Sequence, residues 1–251
     1  MKISALRLLI LMGLFKMTFC TYFGINYYVK ERMTWSDARK YCREICTDLS
    51  SIGNQYEEEL FIDYISSLAS VQTDTWIGLY QDDSDNWKWS GGTTASFFNW
   101  DPQDPIDPNN RCVVENQAGW RKKNCEDKFP FFCFQSHLVL VKENKTWEEA
   151  LEHCRIKDME LFSLRSYSDL IQVMATSRTA QTNNMWTSLR YLAGSWLWVD
   201  QILAEHQAKN QNEMPQCPTW THRCGALSLD EQHLVSWDCA DRLNFVCYNG
   251  S

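Results

Sequence analysis

The sequence has no apolar run long enough to cross a bilayer, and it has little histidine. A membrane-spanning helix needs about 20 apolar residues, whereas the N-terminal run Leu8–Phe15 ends at Lys16 and no later segment is long enough. All five histidines lie in the second half of the chain, and no HExxH, nucleophile-elbow or paired-acid motif is present. We therefore expect no membrane span and no enzymatic activity.

Positive charge is also scarce, with 24 Lys and Arg against 32 Asp and Glu and a net charge of -8. Residues 1–20 combine a basic start, the apolar run and no acidic residue, which predicts a cleaved signal peptide and a secreted, extracellular protein. Its removal takes the net charge to -11, because the signal holds three basic residues. Such a protein would be repelled by nucleic acid and by anionic lipid. A retained type II anchor is the alternative, and the short apolar run argues against it.

The chain contains 12 tryptophans and repeats itself, and the repeat sets the domain organisation. Five blocks recur in the same order: Thr34–Cys42 as Thr146–Cys154, Asp48–Ile52 as Glu160–Leu164, Thr75–Leu79 as Met185–Leu189, Trp87–Trp89 as Trp196–Trp198, and Asn124–Phe134 as Asp238–Tyr248. We therefore predict two copies of one domain, at residues 22–135 and 137–249. The linker between them is short.

Within each copy the pattern predicts two helices followed by short strands and long loops. Thr34 and Thr146 are expected N-caps, each followed by acidic residues in the first turn. A second helix is predicted near Glu57–Leu68, and Ser168 is a candidate cap for its counterpart. The first-helix tryptophans are expected in the core.

The cysteines predict a disulfide framework, as expected in an oxidising compartment. Eleven are present, one of them (Cys20) in the signal, and eight recur in both copies. The repeat supports the pairs Cys42–Cys133, Cys112–Cys125, Cys154–Cys247 and Cys224–Cys239, although spacing alone does not assign connectivity.

Cys46 and Cys217 lie outside this repeated framework. They could pair with each other, link two chains into a dimer, or stay free. A zinc site at Cys217, His222 and Cys224 is a weaker alternative, because secretion favours disulfides and the spacing matches no common zinc motif.

These motifs together resemble the C-type lectin-like domain family, twice over. The residues that carry the resemblance are the Trp-bearing first helices ending in Cys, "WIGL" and "WTSL", "WKW" and "WLW", Phe98-Asn99-Trp100, Trp120, and "FFC" and "FVC". The whole chain is similar to short, two-domain, mannose-receptor-like members known from fish. The resemblance implies an α+β fold in each copy: two helices, small antiparallel sheets, two core disulfides and a long loop that carries the ligand site.

The resemblance also implies where calcium would bind. In calcium-dependent members a Glu-Pro-Asn or Gln-Pro-Asp triplet, a later Glu, and an Asn-Asp after the loop tryptophan supply hard oxygen ligands, about six to eight of which surround the ion. Here the triplet aligns with Asp104, Pro105 and Ile106, and the later Glu with Asn110; Pro105 stands where the family uses a cis proline.

Trp120 is followed by Arg121 and Lys122 instead of Asn and Asp. We therefore expect no calcium and no other cofactor. Instead, we expect Arg121 or Lys122 to pair with Asp104 in an acidic turn that also holds Asp101 and Asp107. In the second copy, Glu213-Met214-Pro215 has its proline displaced, and Trp237-Asp238-Cys239 leaves no room for an Asn-Asp pair.

The predicted function is extracellular recognition. The family implies carbohydrate binding, here independent of calcium, with Trp120 and Trp220 as candidate stacking residues. The alternatives are that the domains bind a protein ligand and no sugar, or that they bind sugar with calcium. Two sites on one chain would allow multivalent binding. Asn144 begins an N-glycosylation motif, and Asn249 begins a second one at the chain end.

Overall fold

A computed structural model of the protein describes residues 19–21 by their backbone, and residues 24–68, 74–105, 107–116, 118–199, 214–215 and 218–249. The first half contains β1 (Phe19–Thr21), β2 (Gly24–Met33), α1 (Trp35–Ile45), β3 (Asp48–Leu49), α2 (Gln55–Ser67), β4 (Thr75–Gln81), β5 (Trp87–Trp89), β6 (Cys112–Asn116), β7 (Gly119–Lys123) and β8 (Phe129–Ser136). The second half contains β9 (Val139–Lys145), α3 (Trp147–Ile156), β10 (Glu160–Leu161), α4 (Tyr167–Thr176), a 3₁₀ turn (Ser177–Thr179), β11 (Asn184–Leu192), β12 (Ser195–Trp198), β13 (Cys224–Ser228), β14 (Leu234–Trp237) and β15 (Leu243–Tyr248).

Both halves have the same sheet connectivity, which confirms the tandem α+β fold. The first sheet runs β1-β2-β8-β4-β6-β7, with β3 on β8 and β5 on β4. The second runs β10-β15-β11-β13-β14, with β9 on β15 and β12 on β11. Each sheet is antiparallel except for one parallel pair, β4 with β8 and β11 with β15, which the sequence pattern did not predict.

The first helix of each domain begins at the predicted threonine. The Thr34 hydroxyl accepts the backbone N–H of Asp37 at 3.2 Å. Thr146 and Glu149 cap α3 reciprocally, each side chain accepting the other residue's backbone N–H. Trp35 and Trp147 are buried, and their indole N–H groups donate to backbone carbonyls of the neighbouring strand.

The second helices begin earlier than predicted. Asn54 caps α2, and Ser166 caps α4 through a capping box with Asp169. The prediction that Ser168 caps α4 is wrong, because Ser168 lies inside the helix. Its hydroxyl accepts a hydrogen bond from the Asn54 amide of the first domain at 2.8 Å.

All four predicted disulfides are present. The long pairs, Cys42–Cys133 and Cys154–Cys247, join each first helix to the last strand and close loops with sequence separations of 91 and 93. The short pairs, Cys112–Cys125 and Cys224–Cys239, span 13 and 15 residues. In the chain-entropy treatment each long loop contributes about 4–5 kcal/mol.

Cys46 is a free thiol of intermediate exposure, and partial burial raises its pKa. Cys217, with which it could have paired, lies outside the described residues, as do residues 1–18 of the predicted signal. None of the described helices is both long enough and apolar enough to cross a membrane.

Helix α4 of the second domain packs directly on the first domain. Ile171 is 2% exposed and belongs to the same buried cluster as Phe61 and Phe132 of the first domain. Two glycines permit this approach. A Cβ atom at Gly53 would lie 2.6 Å from the Ser168 hydroxyl oxygen, and one at Gly91 would lie 3.0 Å from the Cα of Ala175.

Polar contacts flank this apolar contact. The buried Asp48 carboxylate accepts Arg43 of its own domain at 3.1 Å and lies 3.4 Å from Arg178 of the second domain. Arg178 also donates to the Thr47 carbonyl at 2.6 Å. The two domains therefore share part of their hydrophobic core and an ionic cluster. The sequence predicted a short linker between them but not this packing.

We predict that Ile171→Ala lowers the free energy of unfolding by about 2–5 kcal/mol, because it opens a cavity in the shared core. Protection of backbone amides in β4 and β8 of the first domain should fall as well, as measured by hydrogen exchange during denaturant titration.

The matched control is Ile156→Ala, in the same domain but 76% exposed. It should change stability by no more than about 0.5 kcal/mol. Unchanged amide protection of the first domain in Ile171→Ala would show that the two domains are stabilised separately.

Candidate functional site

Trp120 is buried beneath the long loop of the first domain and holds it in place. It lies on β7 with its ring fully buried, and its neighbours Trp89 and Phe97 pack edge-on at 5.7 Å. Its backbone N–H donates to the Asn99 carbonyl at 2.7 Å, and its carbonyl accepts the Asp101 N–H at 2.9 Å. Trp120 therefore positions the loop, and its ring is not available for stacking against a ligand.

A buried carboxyl pair, Glu58 and Glu115, lies beside Trp120. The Trp120 indole N–H is 3.1 Å from both oxygens of Glu58, and the Asn99 amide donates to Glu58 at 2.6 Å. Glu58 and Glu115 are 0% and 1% exposed. Neither was predicted from the sequence, because a glutamate on the first turn of α2 is ordinarily solvated and no local pattern marks the glutamate of β6 as buried.

The two carboxyl groups do not ionise together. Burial, followed by the charge of Glu58, raises the pKa of Glu115 to about 9. Burial also raises the pKa of Glu58, while hydrogen bonds from Asn99 and Trp120 oppose that rise. Glu115 therefore keeps its proton at neutral pH, and Glu58 is the member of the pair that accepts hydrogen bonds from Trp120 and Asn99.

The arginine after Trp120 binds the acidic loop, but at a different residue from the one predicted. Arg121 Nε lies 2.6 Å from Asp101 Oδ2, so the expected pairing of Arg121 with Asp104 is wrong. Asp101 is only 6% exposed because it folds back against β7. The Gln103 N–H and then Arg121 lower the pKa of Asp101.

The remaining loop residues are turn-forming. Asp104 accepts the backbone N–H of Lys122 at 3.1 Å, and Asp107 accepts the N–H of Asn109 at 2.9 Å. Asn110 donates its backbone N–H to the Asp107 carbonyl. The bond before Pro105 is trans, contrary to the cis form used by the family and in keeping with the intrinsic preference of X–Pro bonds. Ile106 lies outside the described residues.

Lys122 lies on aromatic rings and pairs with no carboxylate among the described residues. Its Nζ is 5.0 Å from the Trp100 ring and 6.0 Å from the Trp87 ring. Phe98 stacks on Trp100 with centroids 5.6 Å apart and 15° between the planes. We call Trp87, Phe98, Trp100 and Lys122 the aromatic–lysine face.

In the second domain the corresponding loop is described only in part. Residues 200–213 and 216–217, including Glu213 of the candidate triplet, lie outside the described residues. Pro215 accepts the Trp196 indole N–H at 2.9 Å, and Asp238 accepts the Ala240 N–H at 3.0 Å. Trp220 is 83% exposed, with the Arg223 guanidinium 4.5 Å from its ring.

The cysteines of this region belong to the framework. Cys224 is bonded to Cys239, so it supplies no thiolate to the zinc site considered with His222. Glu148 lies near the same two sulfur atoms, but Arg190 occupies that position, 2.9 Å from the carboxylate and 2.6 Å from the Cys224 sulfur.

Asn144 is exposed on β9, and its glycosylation stays a prediction.

Comparisons with known proteins place this geometry in a family. The sequence pattern described as "Lectin C-type domain" matches residues 31–135 and 143–249. The human secretory phospholipase A2 receptor is 23% identical over 258 residues, covering 86% of this chain but only 17% of the receptor. The C-type lectin BpLec of Bothrops pauloensis is 30% identical, covering 44% of this chain and 89% of the lectin. The structure of human lithostathine is 28% identical with a TM-score of 0.45, covering 48% of this chain and 98% of lithostathine.

We predict that Glu115→Gln stabilises the protein at high pH and not at low pH. The raised pKa means that the contribution of Glu115 to stability is fully present below about pH 4.5 and is lost as pH rises towards 9. Glutamine stays neutral over this whole range. The gain in unfolding midpoint should therefore grow from pH 5 to pH 9 in a thermal denaturation series.

Glu44→Gln, at an exposed position on α1, is the control and should give a difference from wild type that does not grow with pH. Parallel profiles for wild type and Glu115→Gln would contradict a protonated Glu115.

Proposed function

Since this chain belongs to the lectin C-type domain family, we propose that it is a secreted recognition protein that binds carbohydrate without calcium. Two tandem domains of this kind form the described structure, and the relatives are lectin and receptor proteins. The predicted signal supports secretion. Catalysis forms no part of the proposal, because the sequence has none of the catalytic motifs considered and the relatives' names indicate binding.

The observation that carries calcium independence is the pair of cations after Trp120. In relatives that hold calcium, oxygen donors occupy these positions. Here Arg121 forms an ion pair with Asp101 at 2.6 Å, and the Lys122 ammonium rests on Trp100. A divalent ion beside two cations meets Coulomb repulsion. The described donors, Asp104 and Asn110, fall short of the oxygen shell that calcium requires.

The ion pair supports the loop in the way that a metal ion would. Asp101 joins the loop to β7 through Arg121 and through its backbone N–H to Trp120. Sugar binding without calcium then depends on aromatic stacking and side-chain hydrogen bonds. Trp220 is the exposed candidate in the second domain, and the aromatic–lysine face is the candidate in the first.

A protein ligand is the second candidate function. The receptor relative is named for secretory phospholipase A2, and this chain spans 17% of that receptor's length. Exposed tryptophan and arginine are the residue types that dominate protein interfaces, and Trp220 and Arg223 form such a pair.

We predict that a glycan array gives the same set of bound glycans in calcium and in EDTA. The reason is that the ligand loop is held by the Arg121–Asp101 pair and needs no ion. Binding that disappears in EDTA would overturn the proposal in favour of a calcium-dependent lectin. An array with no bound glycan, together with capture of a secreted phospholipase A2, would favour the protein-ligand alternative.

The thermal unfolding midpoint provides an independent measurement of the same prediction. A ligand that binds only the native state raises the midpoint by an amount that grows with its concentration relative to Kd. Equal midpoints in calcium and EDTA are expected, and a higher midpoint in calcium would contradict calcium independence.

We predict that Trp220→Ala weakens ligand binding while leaving the unfolding midpoint unchanged. Removing an aromatic anchor costs about 2 kcal/mol, or about thirtyfold in Kd. Stability should not change because the side chain is 83% exposed. The control is Tyr56→Ala, an aromatic residue 69% exposed on α2, and equal affinity in both variants would exclude Trp220 from the binding surface.

A further inference from the structure

The aromatic–lysine face holds a positive charge that no neighbouring acid neutralises. Around it, Arg121 pairs with Asp101, Lys123 pairs with Asp74 at 2.8 Å, and Lys88 pairs with Asp82 at 2.8 Å. Among the described residues, no carboxylate lies within ion-pair distance of the Lys122 ammonium.

The position of Asp104 explains how Lys122 stays unpaired. The Asp104 carboxylate accepts the backbone N–H of Lys122 at 3.1 Å, so it contacts the main chain of Lys122 instead of the ammonium. The ammonium is held by the rings of Trp100 and Trp87, which attract a cation through their quadrupoles without cancelling its charge. The charge thus remains available to an incoming anion.

The rings beside Lys122 form a partly exposed platform. Phe98 is 37% exposed and lies nearly parallel to Trp100, while Trp87 packs 4.9 Å from Trp100. The negative face of an aromatic ring favours the weakly positive C–H groups on the face of a sugar ring. A ligand suited to this face therefore combines a sugar ring with a negative charge close to it.

We infer that the aromatic–lysine face binds an acidic saccharide, with the sugar ring against Phe98 and Trp100 and its carboxylate or sulfate on the Lys122 ammonium. This inference rests on the proposed carbohydrate-binding function and specifies the class of glycan. The net charge of -11 expected after removal of the signal does not oppose it at contact. At physiological ionic strength, charges more than about 8 Å away are largely screened. Of the nearby acids, Asp101 is paired with Arg121, and the Asp104 carboxylate accepts the Lys122 backbone N–H instead of pairing with the ammonium.

The test measures by calorimetry, in EDTA, the affinity of the full chain for three oligosaccharides of equal length. A chitin fragment is neutral, a hyaluronan fragment carries carboxylates only, and a chondroitin sulfate fragment carries both carboxylates and sulfates. We expect the acidic fragments to bind at least about tenfold more tightly than the neutral one. Their advantage should shrink as salt is raised. The two acidic fragments distinguish carboxylate from sulfate as the recognised group.

Variants of Lys122 locate the charge. Lys122→Gln should remove the advantage of the acidic fragments, and Lys122→Arg should retain it. Lys142→Gln makes the same charge change at an exposed lysine of the second domain and should have no effect. The comparison of fragments on the wild-type chain tests the inference even where Lys122→Gln folds poorly.

The outcomes separate this inference from the proposed function. Equal affinity for neutral and acidic fragments, or full selectivity in a folded Lys122→Gln variant, would overturn the acidic-saccharide site while leaving calcium-independent sugar binding intact. Binding of a polyglutamate peptide as tight as that of the acidic fragments would also overturn it, because charge alone would then suffice. If no saccharide bound in the calorimetric assay or on the array, both the acidic-saccharide site and the proposed carbohydrate-binding function would be overturned.

Discussion

The carboxylate of Glu58 joins three parts of the first domain inside its core. It comes from α2, accepts the indole N–H of Trp120 on β7, and accepts the amide of Asn99 at the entry to the long loop. A buried carboxylate is costly unless its charge is satisfied by donors. Glu115 beside it has a pKa raised to about 9, so it adds no second negative charge at neutral pH. The position of the loop depends on this arrangement, because the Trp120 backbone N–H donates to the Asn99 carbonyl and the Trp120 carbonyl accepts the Asp101 N–H.

The two domains use one framework but are not equivalent. Both have the same sheet connectivity, paired disulfides and buried first-helix tryptophans. Only the second domain contributes Ile171 to the core of its neighbour, and only the first presents the buried Asp48 to arginines from both domains. A core shared in this way restricts relative motion of the domains. Any ligand that contacts both would meet them in a preset arrangement, which lowers the entropic cost of a second contact.

The loop after Trp100 shows how the chemistry of a loop can differ while the framework around it is retained. The disulfides and the buried tryptophans hold the sheet independently of what lies between them. Substituting cations at positions 121 and 122 therefore alters the chemistry of the loop without unfolding it. One cation binds the loop internally through Asp101, and the other remains on aromatic rings at the surface.

The sequence by itself determined the features that depend on short-range or repeated pattern. The internal repeat predicted two domains and the four disulfides, and the threonine caps predicted where α1 and α3 begin. These predictions succeed because a cap or a helical stripe is visible within one segment, and a recurring cysteine is visible when the two halves of the sequence are aligned.

Only the tertiary structure decided which partners meet across the chain. Glu58 reads as a solvated helix residue until Trp120, 62 residues away, supplies a donor. Arg121 pairs with Asp101 and not with Asp104 because the loop folds back against β7. The packing of α4 on the first domain likewise depends on space left by Gly53 and Gly91 in the other half of the chain. Each of these depends on distances between segments far apart in sequence, and a local pattern carries no information about such distances.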